Sequence, residues 1–312
     1  MMTEQRLTVS SNDAFQHVGP IPEQQNLIVR APTTYWADAW RRLKKNFLAM
    51  ASLYTIIVLL LLTFVGPYFT GHTYFNQNLD QTNLTPGQQG YLLGTDHLGR
   101  DELTRLLYGG RTSLEVGIVA SVISLGVGAV YGGISGLAGG RVDDYMMRVV
   151  DIIYGIPLQL VVILLMVTMG SGLWNIFIAL GLVYWLGMAR IVRGQVLTLK
   201  EQEFVLAAKM VGASQWRLLL RHLIPNTMGP IIVTLTLAIP QAIFTEAWLS
   251  FIGLGVQAPA ASWGVMSSEG VGGLTSYPWQ TFLPAAAISI TMLAFNFLGD
   301  GLRDALDPRL RR

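Results

Sequence analysis

Five stretches of this chain contain no Asp, Glu, Lys or Arg: residues 46–79, 116–140, 152–189, 223–245 and 270–299. About 20 apolar residues suffice to cross a bilayer core as a helix. A soluble domain would have to bury these runs and still cover its surface with charge. Only 13% of the residues are charged, against about 25% in soluble domains. A hydrophobic content of 52% also excludes a disordered chain. The class that remains is an all-α polytopic membrane protein. The net charge of +2 offers no basic domain for nucleic acid. The absence of cysteine excludes a disulfide scaffold and thiolate metal sites.

The window 152–189 holds 38 residues, roughly 57 Å as one helix. That is too long for a single span, and Gly170, Ser171 and Gly172 break it into a helical hairpin. Six spans are therefore predicted, near 46–68, 114–138, 148–169, 173–192, 227–250 and 280–299. An even number puts both termini on one side. If that side is the cytoplasm, 18 Lys and Arg residues lie inside and 3 lie outside, namely Arg100, Arg105 and Arg111. This asymmetry predicts cytoplasmic N- and C-termini.

Residues 1–33 are polar, Gln-rich and interrupted by Pro20, Pro22 and Pro32. They read as a flexible cytoplasmic tail without the basic-then-apolar pattern of a cleaved signal. An interfacial amphipathic helix is predicted over 34–46. Thr34 is its cap; Trp36, Trp40, Leu43 and Phe47 form one face, and Arg41, Arg42, Lys44 and Lys45 occupy the rest. The first span follows at 47–69. An external connection fills 70–112, with a short helix near 102–109 capped by Asp101. The core of five spans runs over 113–300 and includes a cytoplasmic loop at 193–226. Residues 301–312 form a cytoplasmic tail.

The 193–226 loop fits two short helices. Acidic residues, Glu201 and Glu203, stand in the first turn of one. Gly212 breaks that helix, Ser214 caps the second, and Pro225 ends it. Ala207 and Ala208 are small enough for another protein's surface to approach the backbone. Such an element, held between two spans, can pass force from a soluble partner. The string Ala207-Ala208-x-x-x-Gly212 followed by the Pro225 stop resembles the EAA loop of permease subunits of ABC importers. The Glu that names that loop is replaced here by Leu206, and Glu203 lies one turn earlier.

The resemblance covers about residues 35–310. Gly94-Thr95-Asp96-His97-Leu98-Gly99-Arg100-Asp101, continued by Gly110-Arg111, is similar to the external signature of the C-type permease subunit of dipeptide, oligopeptide and nickel importers. Gly139 to Val142, Asp143, Glu246 to Gly255, and Leu298 to Asp304 match that family in order. The resemblance implies a type I ABC importer permease fold in the inner membrane of a bacterial or archaeal cell. It also implies a homologous second permease, two ATP-binding subunits carrying ATP and Mg, and an extracytoplasmic binding protein that delivers peptide. Nickel chelates or glutathione are alternative cargoes. ATPase docking would fall to Glu203, Ala207, Ala208, Gly212, Ser214 and Arg217. The external signature comprises Gly94, Asp96, Gly99, Arg100, Asp101 and Arg111. It either faces the binding protein or only seals the outer ends of the spans.

The chain has no phosphate-binding Gly-x-x-x-x-Gly-Lys-Ser/Thr loop, no His-Glu-x-x-His and no Gly-x-Ser-x-Gly. No catalytic, cofactor or metal site is expected. A stand-alone secondary transporter would call for inverted repeats or paired intramembrane charges, and a scaffold would not need polar stripes. Two such stripes are present. Ser121, Ser124, Gly128, Tyr131 and Ser135 share one face of the second span, which reads as pathway lining or as a seam of small residues. Thr234, Ala238, Gln241 and Thr245 share a face of the fifth. Candidate lining residues are Ser124, Tyr131, Thr234, Gln241 and Thr245, and a neutral pathway is expected. Glu246 is an intramembrane acid, expected to pair with Arg100 or Arg111.

Overall fold

The computed structural model describes residues 34–307. The tail predicted at 1–33 lies outside the described residues, as do residues 308–312. Described residues from Ala39 onward form one compact unit. They are helical, and among them there is no strand beyond a single bridge between Thr95 and Asp101.

Helix α1 (Tyr35–Lys45) is amphipathic, and Thr34 Oγ1 accepts the Ala37 N–H at 3.3 Å. Asn46 separates it from α2 (Phe47–Val65) by capping the Ala49 N–H at 3.1 Å. The predicted Trp36–Trp40–Leu43–Phe47 face is therefore divided. Ala39 and Leu43 are buried, whereas Trp36, Trp40 and Phe47 are exposed. The helix break at Asn46 moves Phe47 into another element.

Helix α3 (Glu102–Ala138) absorbs the short helix predicted at 102–109, because nothing after Asp101 interrupts the α ladder before Gly139. Its 37 residues reach about 55 Å, so its first turns project beyond a hydrocarbon core. Helix α4 (Gly140–Tyr154) and helix α5 (Leu158–Met169) meet at a bend of 81°. The predicted straight span over 148–169 is thus replaced by a bent pair. Pro157 precludes a continuous α ladder there, since it has no N–H to donate. Helix α6 (Leu173–Leu199) returns across the bundle.

Helix α7 (Glu203–Met210) is followed by Gly212 at φ +86°. Ser214 Oγ then accepts the Arg217 N–H at 3.3 Å and starts α8 (Gln215–Arg217). A π-helical turn, Leu218–Leu223, leads into α9 (Ile224–Asn226) and α10 (Met228–Phe251). Pro225 does not stop the chain, as the sequence suggested. Its missing N–H falls where the turn widens, and the Ile224 N–H reaches back to Leu219 O. Helix α11 (Trp263–Val271) and helix α12 (Trp279–Leu306) complete the chain.

Five of these helices are long and apolar enough to cross a membrane, and six spans result if the bent α4–α5 pair counts as one. We call the end carrying residues 70–101 outer and the end carrying 200–227 inner, after the sides predicted from the basic residues. The tightest packing joins α3 to α6. A Cβ on Gly132 would stand 2.1 Å from the Ala189 carbonyl oxygen, so only glycine permits this approach. Most of the polar stripe on the second span thereby becomes a seam. Ser121 and Ser135 are buried, and Gly128 is pressed against Met188.

Candidate functional site

At the outer end, residues 78–101 fold back on themselves. Gly99 has φ +70°, and a Cβ there would lie 1.8 Å from the Asn78 carbonyl oxygen. No other residue fits that turn. It brings Asp96 into an Asx turn, with Oδ1 accepting from the N–H groups of Leu98 and Arg100 at 2.9 and 2.8 Å. Asp96 Oδ2 takes Arg100 Nε at 2.6 Å and also Arg105 Nη1. Both guanidinium groups continue to Glu269 of α11, at 2.9 and 2.8 Å. Burial by itself would raise the Asp96 carboxyl. The charges of Arg105 and Arg100 and the Arg100 backbone N–H outweigh it and hold the group below the ordinary carboxylate range. Asp101 caps α3 through the Thr104 N–H at 3.0 Å.

Five of the six predicted signature residues, Gly94, Asp96, Gly99, Arg100 and Asp101, are buried together. Arg111 stands apart, in an exposed pair with Glu115 at 2.9 Å. Asp96, His97 and Glu269 come within the reach of one ion. Two arginines already occupy both carboxylates, so their positive charge opposes a cation there. Sequence reasoning missed Glu269 and Gln280. The Gln280 amide donates to Thr95 O at 2.9 Å and Asn83 Oδ1 at 3.0 Å. The lone charged residue between Glu246 and Asp300 was the available signal for Glu269.

Glu246 does not pair with Arg100 or Arg111, contrary to the expectation. Those arginines are taken by Asp96, Glu269 and Glu115, and the α10 register turns Glu246 toward serines. It is fully buried and accepts from Ser250 Oγ at 2.7 Å and Ser113 Oγ at 3.1 Å. Ser113 Oγ also accepts the Trp263 N–H at 3.3 Å. One carboxyl thus ties α3, α10 and the start of α11.

A cavity of about 740 Å³ opens between α5, α6 and α10. That is the size of a small-molecule site. Ser124, Thr234, Gln241 and Thr245 line it. Tyr131 does not. Its hydroxyl donates to Met146 O at 2.8 Å, and its ring meets Trp185 edge-on at 4.7 Å. Tyr184, another lining residue, bonds Thr245 Oγ1 at 2.6 Å. The lining is not neutral as expected, because Arg190 belongs to it. Read on α6 alone, Arg190 is one of a basic flank; only the approach of α4 and α5 makes it a cavity wall.

At the inner end, Val205 is buried and anchors α7. Glu203, Ala207, Gly212, Ser214 and Arg217 are exposed, and Ala208 is half-buried. The most exposed large apolar side chains are Met210 and Val211, at 88% and 90%. Neither had been singled out from the sequence. Two apolar residues immediately before a helix-breaking glycine were the signal.

Residues 128–312 match the family of binding-protein-dependent transport system inner membrane components. Residues 34–86 match the N-terminal TM domain of oligopeptide transport permease C. The chain is 53% identical over 286 residues to the dipeptide transport system permease protein DppC of Bacillus subtilis, covering 91% of this chain and 89% of that one. It is 50% identical to the oligopeptide transport system permease protein OppC of the same organism, over 91% and 93%. With OppC of Escherichia coli K12 it shares 42%, over 88% and 92%. The likeness covers about nine-tenths of the chain, and the chain belongs to the family of binding-protein-dependent transport system inner membrane components.

Proposed function

We propose that this chain is the permease subunit of an ATP-driven peptide importer. It forms half of the transmembrane pathway, and a homologous second permease supplies the other half. Two ATP-binding subunits hydrolyse ATP with Mg below it, and an extracytoplasmic binding protein delivers di- or oligopeptides above. The observation that carries this reading is 53% and 50% identity, over nine-tenths of the chain, to permeases named for dipeptide and oligopeptide transport. The cavity adds support, since it offers hydroxyl and amide groups on an apolar wall, which suits main-chain recognition without selection among side chains.

In this reading the inner loop docks on an ATPase. Glu203 and Arg217 supply charge at the margin, Ala207 and Ala208 admit close approach, and Gly212 and Ser214 shape the turn. Met210 and Val211 form the apolar tip that the ATPase would cover. The termini then lie in the cytoplasm of a cell whose inner membrane holds the complex.

The test is reconstitution of the assembled importer in proteoliposomes. Uptake of labelled di- and tripeptides should require ATP and the binding protein. ATP-driven uptake of a nickel chelate or glutathione, with none of peptide, would overturn the substrate. A single cysteine placed at Val211, in a chain that has no other, should react only with reagents admitted to the cytoplasmic side.

A further inference from the structure

The cavity wall has one charged side chain, Arg190. It sits on α6 near the inner end, between an aromatic ring and a carboxylate. The guanidinium lies over the Tyr154 ring, with Cζ 4.0 Å from the centroid. Nη2 donates to Asp151 at 2.6 Å. A guanidinium has five N–H donors. Among the described residues, that bond to Asp151 is the only hydrogen bond Arg190 makes. Four donors of a planar, permanently charged fork therefore stay free beside the cavity.

Six residues earlier on the same helix, Tyr184 reaches α10, where its hydroxyl meets Gln241 O at 3.2 Å and Thr245 Oγ1 at 2.6 Å. These are neutral oxygens able to receive N–H donors. Six residues of α6 rise about 9 Å along its axis, which sets the scale of the separation between the two groups. Extended chain covers roughly 3.3–3.6 Å per residue, so two to three residues bridge that distance. No carboxylate lines the cavity.

We propose that Arg190 is the site that receives the C-terminal carboxylate of the peptide in the cavity, while the peptide's amino end rests against the oxygens of Tyr184, Gln241 and Thr245. The inference rests on the peptide-permease reading. The C-terminal carboxylate, like the amino end, is shared by all unmodified peptides whatever their side chains, so a single fixed cation can serve varied cargo. Arg pairs with carboxylate through two parallel hydrogen bonds. Asp151 moderates the attraction by sharing the guanidinium, and partial exposure screens it. Release at the inner end is thereby kept possible.

The assembled importer in proteoliposomes tests this, with the binding protein saturated by each peptide. A tripeptide and its C-terminal amide are compared in the unmodified protein, in Arg190→Gln and in Asp151→Asn. The unmodified protein should move the free acid about three- to tenfold faster than the amide. Arg190→Gln should remove that preference by slowing the acid while leaving the amide unchanged. Asp151→Asn should retain the preference, because the guanidinium remains. Equal rates for acid and amide in the unmodified protein would overturn the inference without any variant. So would equal slowing of both peptides by Arg190→Gln and by Asp151→Asn, which would make the Arg190–Asp151 pair a mechanical closure. Failure of the unmodified importer to move any peptide would overturn the permease reading and this inference together. Peptide uptake with no acid preference overturns this inference alone.

Discussion

The two ends of the bundle use opposite chemistry. At the outer end, Asp96, Arg100, Arg105 and Glu269 are drawn into one charge cluster, with all but Glu269 less than a twentieth exposed. A fifth charged residue, Glu102, is buried beside them. At the inner end, Met210 and Val211 are apolar and almost wholly exposed. The outer end pairs its two arginines with carboxylates internally, although Glu102 Oε2 and Arg105 Nε have no hydrogen-bond partner among the described residues. The inner loop leaves two apolar side chains exposed at its tip.

The largest expected effect comes from breaking the cap. Asp96→Ala leaves two buried arginines short of an acceptor and should cost about 3–5 kcal/mol, seen as a large fall in melting temperature in detergent. The same carboxyl sets a pH window. Its folded pKa lies below the ordinary value of about 3.9. Its stabilisation is therefore complete above that value and is lost as pH falls through the depressed one. The Asp96 contribution, read as the difference in melting from Asp96→Asn, should be flat from about pH 7 to about pH 5 and decline only below about pH 4. An earlier decline would show that the cluster is not the support of the outer end.

Glu246 offers a middle-sized test. Glu246→Ala removes the acceptor for Ser113 and Ser250 and should cost about 1–3 kcal/mol. Glu246→Gln keeps one acceptor oxygen and should cost less than half of that by the same measurement. Equal losses would mean that the negative charge, and not the hydrogen bonding, matters there. Arg111→Ala should cost less than about 1 kcal/mol, because its pair with Glu115 is solvent-exposed. That result would separate Arg111 from the five buried signature residues.

The inner loop should show the smallest effect on stability and a large one on assembly. Met210→Ser with Val211→Ser should move the melting temperature by no more than about 0.5 kcal/mol of stability allows. Copurification of the ATPase subunits should nonetheless be lost. If the double variant melts early while still holding its ATPases, the contrast between the two ends fails.

Much of the architecture was legible in the charge-free windows, since the cost of carrying charge through hydrocarbon acts along the chain itself. The hairpin at 170–172, the Asp101 and Ser214 caps and the Gly212 break were legible too, because each depends on neighbours a few residues away. The 81° bend after α4 was not, although Gly155 and Pro157 mark its place. An apolar run does not state its direction. The π turn before Pro225 was missed for a related reason: a proline can end a helix or be accommodated in a widened turn, and packing of Leu218, Leu219 and Leu223 decides which.

By itself, then, the sequence determined an all-α bundle, the charge-free runs that its long helices occupy and the small-residue loop between α6 and α10. Periodicity marks which residues share a helix face. It does not say what that face meets. On one stripe of α3, Ser124 reaches the cavity, Tyr131 bonds a backbone carbonyl and Ser135 bonds Asp143. Only tertiary structure decided among these, because neighbouring helices approach different levels of the same stripe. The same holds for charge. Arg100 and Glu269 are 169 residues apart in the chain, and Arg190 becomes part of a cavity only where α4 and α5 fold against α6. Which partner a buried charge finds is a property of packing, and packing is set by contacts that no local pattern contains.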